Sequence, residues 1–254
     1  MTYAVTTTHH ASAERQSRAD RVALRCGVPR IPRQSTLPGT FELAGVDVLY
    51  VVAQSRDVLV HRSGESITIT PGLLKTRLHN GLKHPYIRAI APDGVLPDVV
   101  FDGTLGLALD ALHLAGLGVR IEGSEASPAV YSLLEEGLPR LARGPEPAAS
   151  AAARIHPTAG RAAEILSAWG PDSVDVVVLS PMFASPRKAP PGYAVFRAVA
   201  VSDPLGLDTV EAARAAARRR VVLKLRRDEP APESWPPGDA LIVGRAVEYR
   251  ILQC

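Results

Sequence analysis

The chain has 254 residues and a mass of 27.0 kDa, with 46% hydrophobic and 22% charged residues. That composition supports a packed core and argues against wholesale disorder. No apolar run reaches the roughly 18 residues of a membrane span, and no charged-then-apolar leader opens the sequence, so neither a membrane protein nor an exported one is expected. Two cysteines, Cys26 and Cys254, cannot build a disulfide framework or a four-ligand zinc site. The seven histidines lack metal-ligand spacing; no metal is expected, and the reducing cytoplasm is the expected compartment. The net charge of +3 is unevenly spread: residues 1–93 hold 12 Lys+Arg against 7 Asp+Glu, and the remainder 17 against 19. A basic front part suits either a polyanion-docking appendage or an ordinary Arg-rich surface.

In chain order, Tyr3–Thr7 reads as a short strand and Ser12–Arg25 as an Arg-studded helix stopping before Gly27. Residues 28–33 (VPRIPR) form a stiff connector, because each Pro fixes its own φ and restricts the residue before it. Asp47–Ala53, Val58–Arg62 and Ser66–Thr70 have the β-branched content of strands. Pro71 opens a helical stretch that runs to Asn80-Gly81. A boundary at Ala91–Gly94 separates a small α+β domain, residues 1–93, from residues 94–254.

Beyond the boundary, strand-like and helical segments alternate: Asp98–Phe101, Gly106–Ala115, Val119–Gly123, Ala129–Leu141, Arg154–His156, Gly160–Trp169 and Val174–Leu179. Continuous Val/Leu runs such as residues 174–179 are what buried parallel strands require. The alternation predicts a doubly wound α/β sheet with helices on both faces. Gly144–Ala153 reads as a loop and residues 184–206 as a surface excursion. Arg220–Leu225 is another buried strand, and Asp239–Val243 with Ala246–Leu252 form a closing antiparallel hairpin.

The chemistry concentrates where Val99-Val-Phe-Asp102 meets Gly103-Thr104-Leu-Gly106. A buried strand ends at an acid and a Gly turn opens a helix, so backbone can approach a ligand closely. No G-x-G-x-x-G follows any strand, and an acid at Asp102 would repel a pyrophosphate, which argues against a dinucleotide oxidoreductase. Glu125, just past the next strand, can accept from both hydroxyls of a ribose. Asp102 and Glu125 together fit a nucleoside carrying a cationic amino group, as S-adenosylmethionine (SAM) does. Ser180-Pro181-Met182-Phe183, at the end of the strand 174–179, has the form of an amine-methylation motif. Its Pro holds an extended carbonyl toward an exocyclic amine and its aromatic ring can stack on a base.

These segments, with residues 133–138, Ile155-His156, Lys188 and residues 220–224, resemble the ribosomal small-subunit methyltransferase J family over roughly residues 95–252. The resemblance implies a class I SAM-dependent methyltransferase fold, Rossmann-like with the closing hairpin, acting on guanine N2 of 16S ribosomal RNA in the small ribosomal subunit. It implies that Asp102, Thr104, Gly106, Leu109, Asp110, Glu125, Ala126, Thr158 and Ser180 bind the cofactor. Within that set Leu109 and Asp110 follow the Gly turn, Glu125 and Ala126 take the ribose, and Thr158 lies near the adenine. Ser180, Pro181, Met182 and Phe183 are the implied catalytic motif, and Phe183, Arg187 and Lys188 the implied substrate contacts. Three positions depart from the family pattern: Ala108 stands for Gly, Ala126 for a larger polar residue, and Ser180 for the Asp of D-P-M-F. A Ser also opens the related motif of cytosine-N4 methyltransferases. On the substrate side three readings stay open: a nucleobase amine, a small-molecule amine, or an RNA-binding relative without turnover.

Overall fold

The computed structural model describes residues 3–180, 191–201, 205–227 and 235–254, and two sheets organise them. The N-terminal sheet has the order β1 (Tyr3–Thr7), β2 (Val48–Val52), β3 (Val58–His61), β4 (Ser66–Ile67). β1 and β2 are parallel, joined through α1 (Ala13–Cys26) and α2 (Leu37–Ala44); β3 and β4 add antiparallel. Ser12 caps α1 by accepting from the Arg15 N–H, and Gly27 closes it at φ +62°, the left-handed conformation that Gly adopts without steric cost. α2 was not predicted. Its Pro38 and Gly39 look like breakers, but Pro sits in the first turn, where its missing N–H is no loss, and Thr36 accepts from the Gly39 N–H. β4 is shorter than the predicted Ser66–Thr70. Helix α3 (Leu74–Asn80) begins later than Pro71, and an unpredicted α4 (Pro85–Ile90) follows a 3-10 turn, its N-terminus capped by the His84 ring.

The second sheet is built from β5 (Val99–Asp102), α5 (Leu109–Gly116), β6 (Arg120–Glu125), α6 (Pro128–Ala142), α7 (Ala148–Ala152), β7 (Ile155–Ala159), α8 (Ala162–Trp169), β8 (Val174–Leu179), α9 (Tyr193–Val199), α10 (Leu207–Ala216), β9 (Ala217–Arg226), β10 (Ala240–Val243) and β11 (Val247–Gln253). The strand order is β10-β11-β9-β8-β5-β6-β7. β5 to β9 run parallel, and β11 lies antiparallel between β9 and β10, forming the predicted hairpin. α7 replaces the predicted loop at 144–153: its Ala-rich core buries Ala148, Ala151 and Ala152, which outweighs the flanking Pro and Ser. β9 starts at Ala217, three residues before the prediction, and α9 occupies part of the predicted excursion.

Strand alternation divides the core. Val100, Val176, Val178 and Val222 pack with α5, α6 and α7, whereas Phe101, Val177, Leu179, Val221 and Leu223 pack with α8 and α10. The chain winds outward from β5 through β6 to β7 and then restarts at β8 on the other side of β5. The carboxyl ends of β5 and β8 therefore flank a topological switch point, where open α/β sheets bind ligands. The first cluster also takes in Tyr3, Tyr50 and Ile69, so apolar packing is continuous from the N-terminal sheet to α6. Gly137 makes that approach possible, since a Cβ there would overlap Ile69. No helix among the described residues is long and apolar enough to cross a membrane.

Candidate functional site

The switch point is held by three residues. Asp102, only 5% exposed at the end of β5, accepts through Oδ1 from the Thr104 N–H at 3.0 Å and from the Thr104 hydroxyl at 3.3 Å. Thr104 Oγ1 in turn accepts from the Ser180 N–H at 2.9 Å. One hydroxyl thus ties the turn after β5 to the first residue after β8. Gly103 makes room, because a Cβ there would stand 2.5 Å from Leu179 Cδ2. Burial pushes the Asp102 carboxyl up to about 7, opposed by the Thr104 hydrogen bonds and the Lys224 charge.

Glu125 ends β6 and faces the same turn. Its Oε2 accepts from the Gly106 N–H at 2.9 Å and its Oε1 from the Ser127 N–H at 2.7 Å. Burial raises this carboxyl as well, and those backbone donors work against the rise. A carboxylate has about four lone-pair sites, so acceptor capacity remains for a ligand hydroxyl. Gly106 sits at φ +51°, and a Cβ there would meet the Phe196 ring from α9 at 3.4 Å. Ala108, buried and at φ +57°, occupies the left-handed conformation that favours Gly and caps α5 without a side-chain hydrogen bond. That is the position where the resemblance places a Gly; an Ala there carries a backbone cost of about 1–2 kcal/mol.

Asp110, in the first turn of α5, is bound from two sides. Arg77 of α3 donates to Oδ1 at 2.7 Å and the Lys224 ammonium of β9 pairs with Oδ2. Burial alone would raise this carboxyl, but the two cations hold it down at about 2. Leu109 carries 41% exposure and its carbonyl accepts from Arg77 at 3.1 Å. The register Leu179↔Leu223 places Lys224 next to Ser180 across the β8–β9 pair, on the sheet face that also carries Val178 and Val222.

The structure thus gathers Asp102, Thr104, Gly106, Glu125 and Ser180 at the carboxyl ends of β5, β6 and β8, with Ala126 following Glu125 and Asp110 in the first turn of α5. Thr158 pairs in register with Ser124 on β7 and is exposed. Pro181, Met182, Phe183, Arg187 and Lys188 lie outside the described residues. Sequence reasoning missed the roles of Arg77, Lys224 and Phe196. Only Lys224 left a trace, as a charge within the predicted strand Arg220–Leu225 and one of the residues that carry the resemblance. Among the described residues no group of three or more His, Cys, Asp or Glu could hold a metal ion.

The strand order, the reversed β11 and the acids at the ends of β5 and β6 define the fold class of class I SAM-dependent methyltransferases. A family model described as "Putative SAM-dependent methyltransferase" matches residues 67–240. The chain belongs to that family, whose description names SAM as the cofactor. It is 36% identical over 164 residues to the ribosomal RNA small subunit methyltransferase J of Pseudomonas paraeruginosa, covering 62% of each chain. With the protein of the same name from Marinobacter nauticus it shares 36% identity over 158 residues, 61% of this chain and 56% of the relative. The match therefore spans less than two thirds of these curated relatives. A solved SAM-dependent methyltransferase from Neisseria gonorrhoeae has the same fold: TM-score 0.71 at 21% identity, covering 98% of this chain and 95% of that one.

Proposed function

We propose that this protein transfers a methyl group from SAM to an exocyclic amine of a nucleobase in ribosomal RNA, of the guanine-N2 type, in the cytoplasm where that RNA is made. The carrying observation is the Asp102–Thr104–Ser180 connection, which couples the turn suited to the cofactor with the start of the amine motif. Relatives named for ribosomal RNA methylation supply the substrate class.

The residues present fit the cofactor. Glu125 keeps acceptor sites for a ribose diol, and Asp102 offers a buried acid to a cation. When bound, SAM supplies a methyl group already activated on a sulfonium. Holding the amine in line with it accounts for much of the acceleration. Thr104 fixes the Ser180 backbone, and the Ser180 hydroxyl orients the amine by accepting a hydrogen bond from one of its N–H groups. After transfer the methylated nitrogen loses one proton to water and keeps the other. Asp110, ionised between Arg77 and Lys224, keeps the first turn of α5 in place.

Incubation with labelled SAM and small ribosomal subunits lacking this methylation tests the reading: label should enter 16S RNA and Ser180→Ala should slow it. No incorporation by protein that binds SAM refutes it. Because Ser180 replaces an acid, a small-molecule amine is the second reading; label entering an amine pool and never RNA would favour it.

A further inference from the structure

A second charged site lies away from the cofactor turn, on the flank where α1 meets α6. A cleft of about 330 Å³ opens there between α1, the β2–β3 connection and the later turns of α6. Arg18, Arg21 and Arg25, spaced three and four residues apart, share one face of α1. They look onto Arg140 and Arg143 at the end of α6.

Three of the five arginines are neutralised in place. Arg18 pairs with the buried Asp57 at 2.7 Å and donates to the Ala53 carbonyl at 2.6 Å. Arg25 makes a two-pronged pair with Glu135 at 2.7 and 2.9 Å. Arg140 pairs with Glu136 at 3.2 Å and donates to the Ile69 carbonyl at 2.6 Å. Arg21 and Arg143 are exposed and have no ion-pair partner among the described residues. Five cations against three carboxylates leave the cleft at +2, set on the two opposite lips of a rigid, already hydrogen-bonded floor. Such a lining suits no apolar ligand, which needs predominantly hydrophobic walls. It suits a chain of phosphates, which free guanidinium forks bind in two-pronged fashion.

We propose that this cleft docks the phosphate backbone of the RNA substrate, an inference that rests on the ribosomal RNA reading above. α6 links the two places: it begins at Pro128, three residues after Glu125, and Arg143 lies fifteen residues beyond Pro128. At about 1.5 Å per residue that is about 22 Å, a span a folded RNA covers while presenting one base to Ser180. Part of the uneven charge thereby acquires a location: α1 carries four Arg against Glu14 and Asp20.

The test measures binding of a 16S RNA transcript over about 50 to 300 mM KCl by the full-length protein and by three double variants. In Arg21→Glu/Arg143→Glu, affinity should fall at least tenfold. The slope of log affinity against log salt should flatten by about 1.4 to 1.8, the release of two phosphates' counterions. Arg21→Lys/Arg143→Lys should keep the slope, as should Arg154→Glu/Arg214→Glu, an equal charge change elsewhere. SAM affinity should be unchanged in all of them. RNA binding by the first variant equal to wild type overturns the inference and leaves the ribosomal RNA reading standing, as does an equal loss in the remote variant. Wild-type protein that binds SAM but shows no salt-sensitive RNA binding overturns both.

Discussion

On the proposed reading, Asp102 sets how SAM affinity depends on pH. Its carboxyl is buried at the end of β5 and raised from 3.8 to about 7, a net cost of about 4 kcal/mol for the ionised form after its hydrogen bonds and neighbouring charges are counted. A cationic ligand needs the carboxylate, so binding must first draw the proton off whatever fraction holds it. With a pKa near 7, that fraction weakens apparent affinity about elevenfold at pH 6 and by only about a third at pH 7.5. SAM affinity should therefore rise about eightfold between those values. Calorimetric titration in buffers of different ionisation enthalpy should show about half a proton released per SAM bound at pH 7. The amino group of the ligand titrates closer to 8, so the quantity to read is the difference from Asp102→Asn. That variant should bind more weakly, with no slope below pH 7.5. A flat wild-type profile, or an Asn variant with the same slope, refutes the reasoning.

Other perturbations have equally definite outcomes. Glu125→Ala strands the Gly106 and Ser127 N–H groups, so it should cost about 1–3 kcal/mol in urea unfolding and abolish measurable SAM binding; unchanged binding would separate Glu125 from the cofactor. Gly137→Ala should destabilise by about 1–3 kcal/mol through overlap with Ile69, and a melting temperature equal to wild type would mean the N-terminal sheet does not press on α6 as described. His113 is fully buried with neither ring nitrogen partnered, and burial together with the neighbouring His84 holds its pKa down at about 4. A histidine depressed in the folded state loses stability as pH falls from about 6.5 toward 4. His113→Leu should therefore remove that acid loss and stabilise at neutral pH by about 1–3 kcal/mol, as read from urea curves at pH 5 and 7. Lys224→Met leaves Asp110 with Arg77 alone; its carboxyl should rise, and the stability it contributes above about pH 4 should shrink.

Local pattern was enough for the frame of this protein. Runs such as residues 99–102 and 174–179 are apolar at every position because both sheet faces are covered, and that marks parallel strands without further information. Asp102 and Glu125 were legible for the same reason: an acid interrupting such a run has to sit at the strand's open end. The short helices were not legible. α2, α4 and α7 carry Pro, Gly or Ser, and their burial against neighbours, rather than propensity, made them helical.

The joining of distant residues belonged to the tertiary structure alone. Ser180 lies 76 residues from the hydroxyl that holds it, and Lys224 lies 114 residues from Asp110. No periodicity encodes such pairs; they follow from β8 restarting beside β5 and β9 lying next to β8. The same holds for the arginine cleft, whose charges the sequence counts but only the packing of α1 on α6 brings face to face. Sequence determines which residues can carry charge or bend the chain, because those are properties of single side chains and short turns. Proximity across the chain is a property of strand order and helix packing, and it decided which of those residues act together.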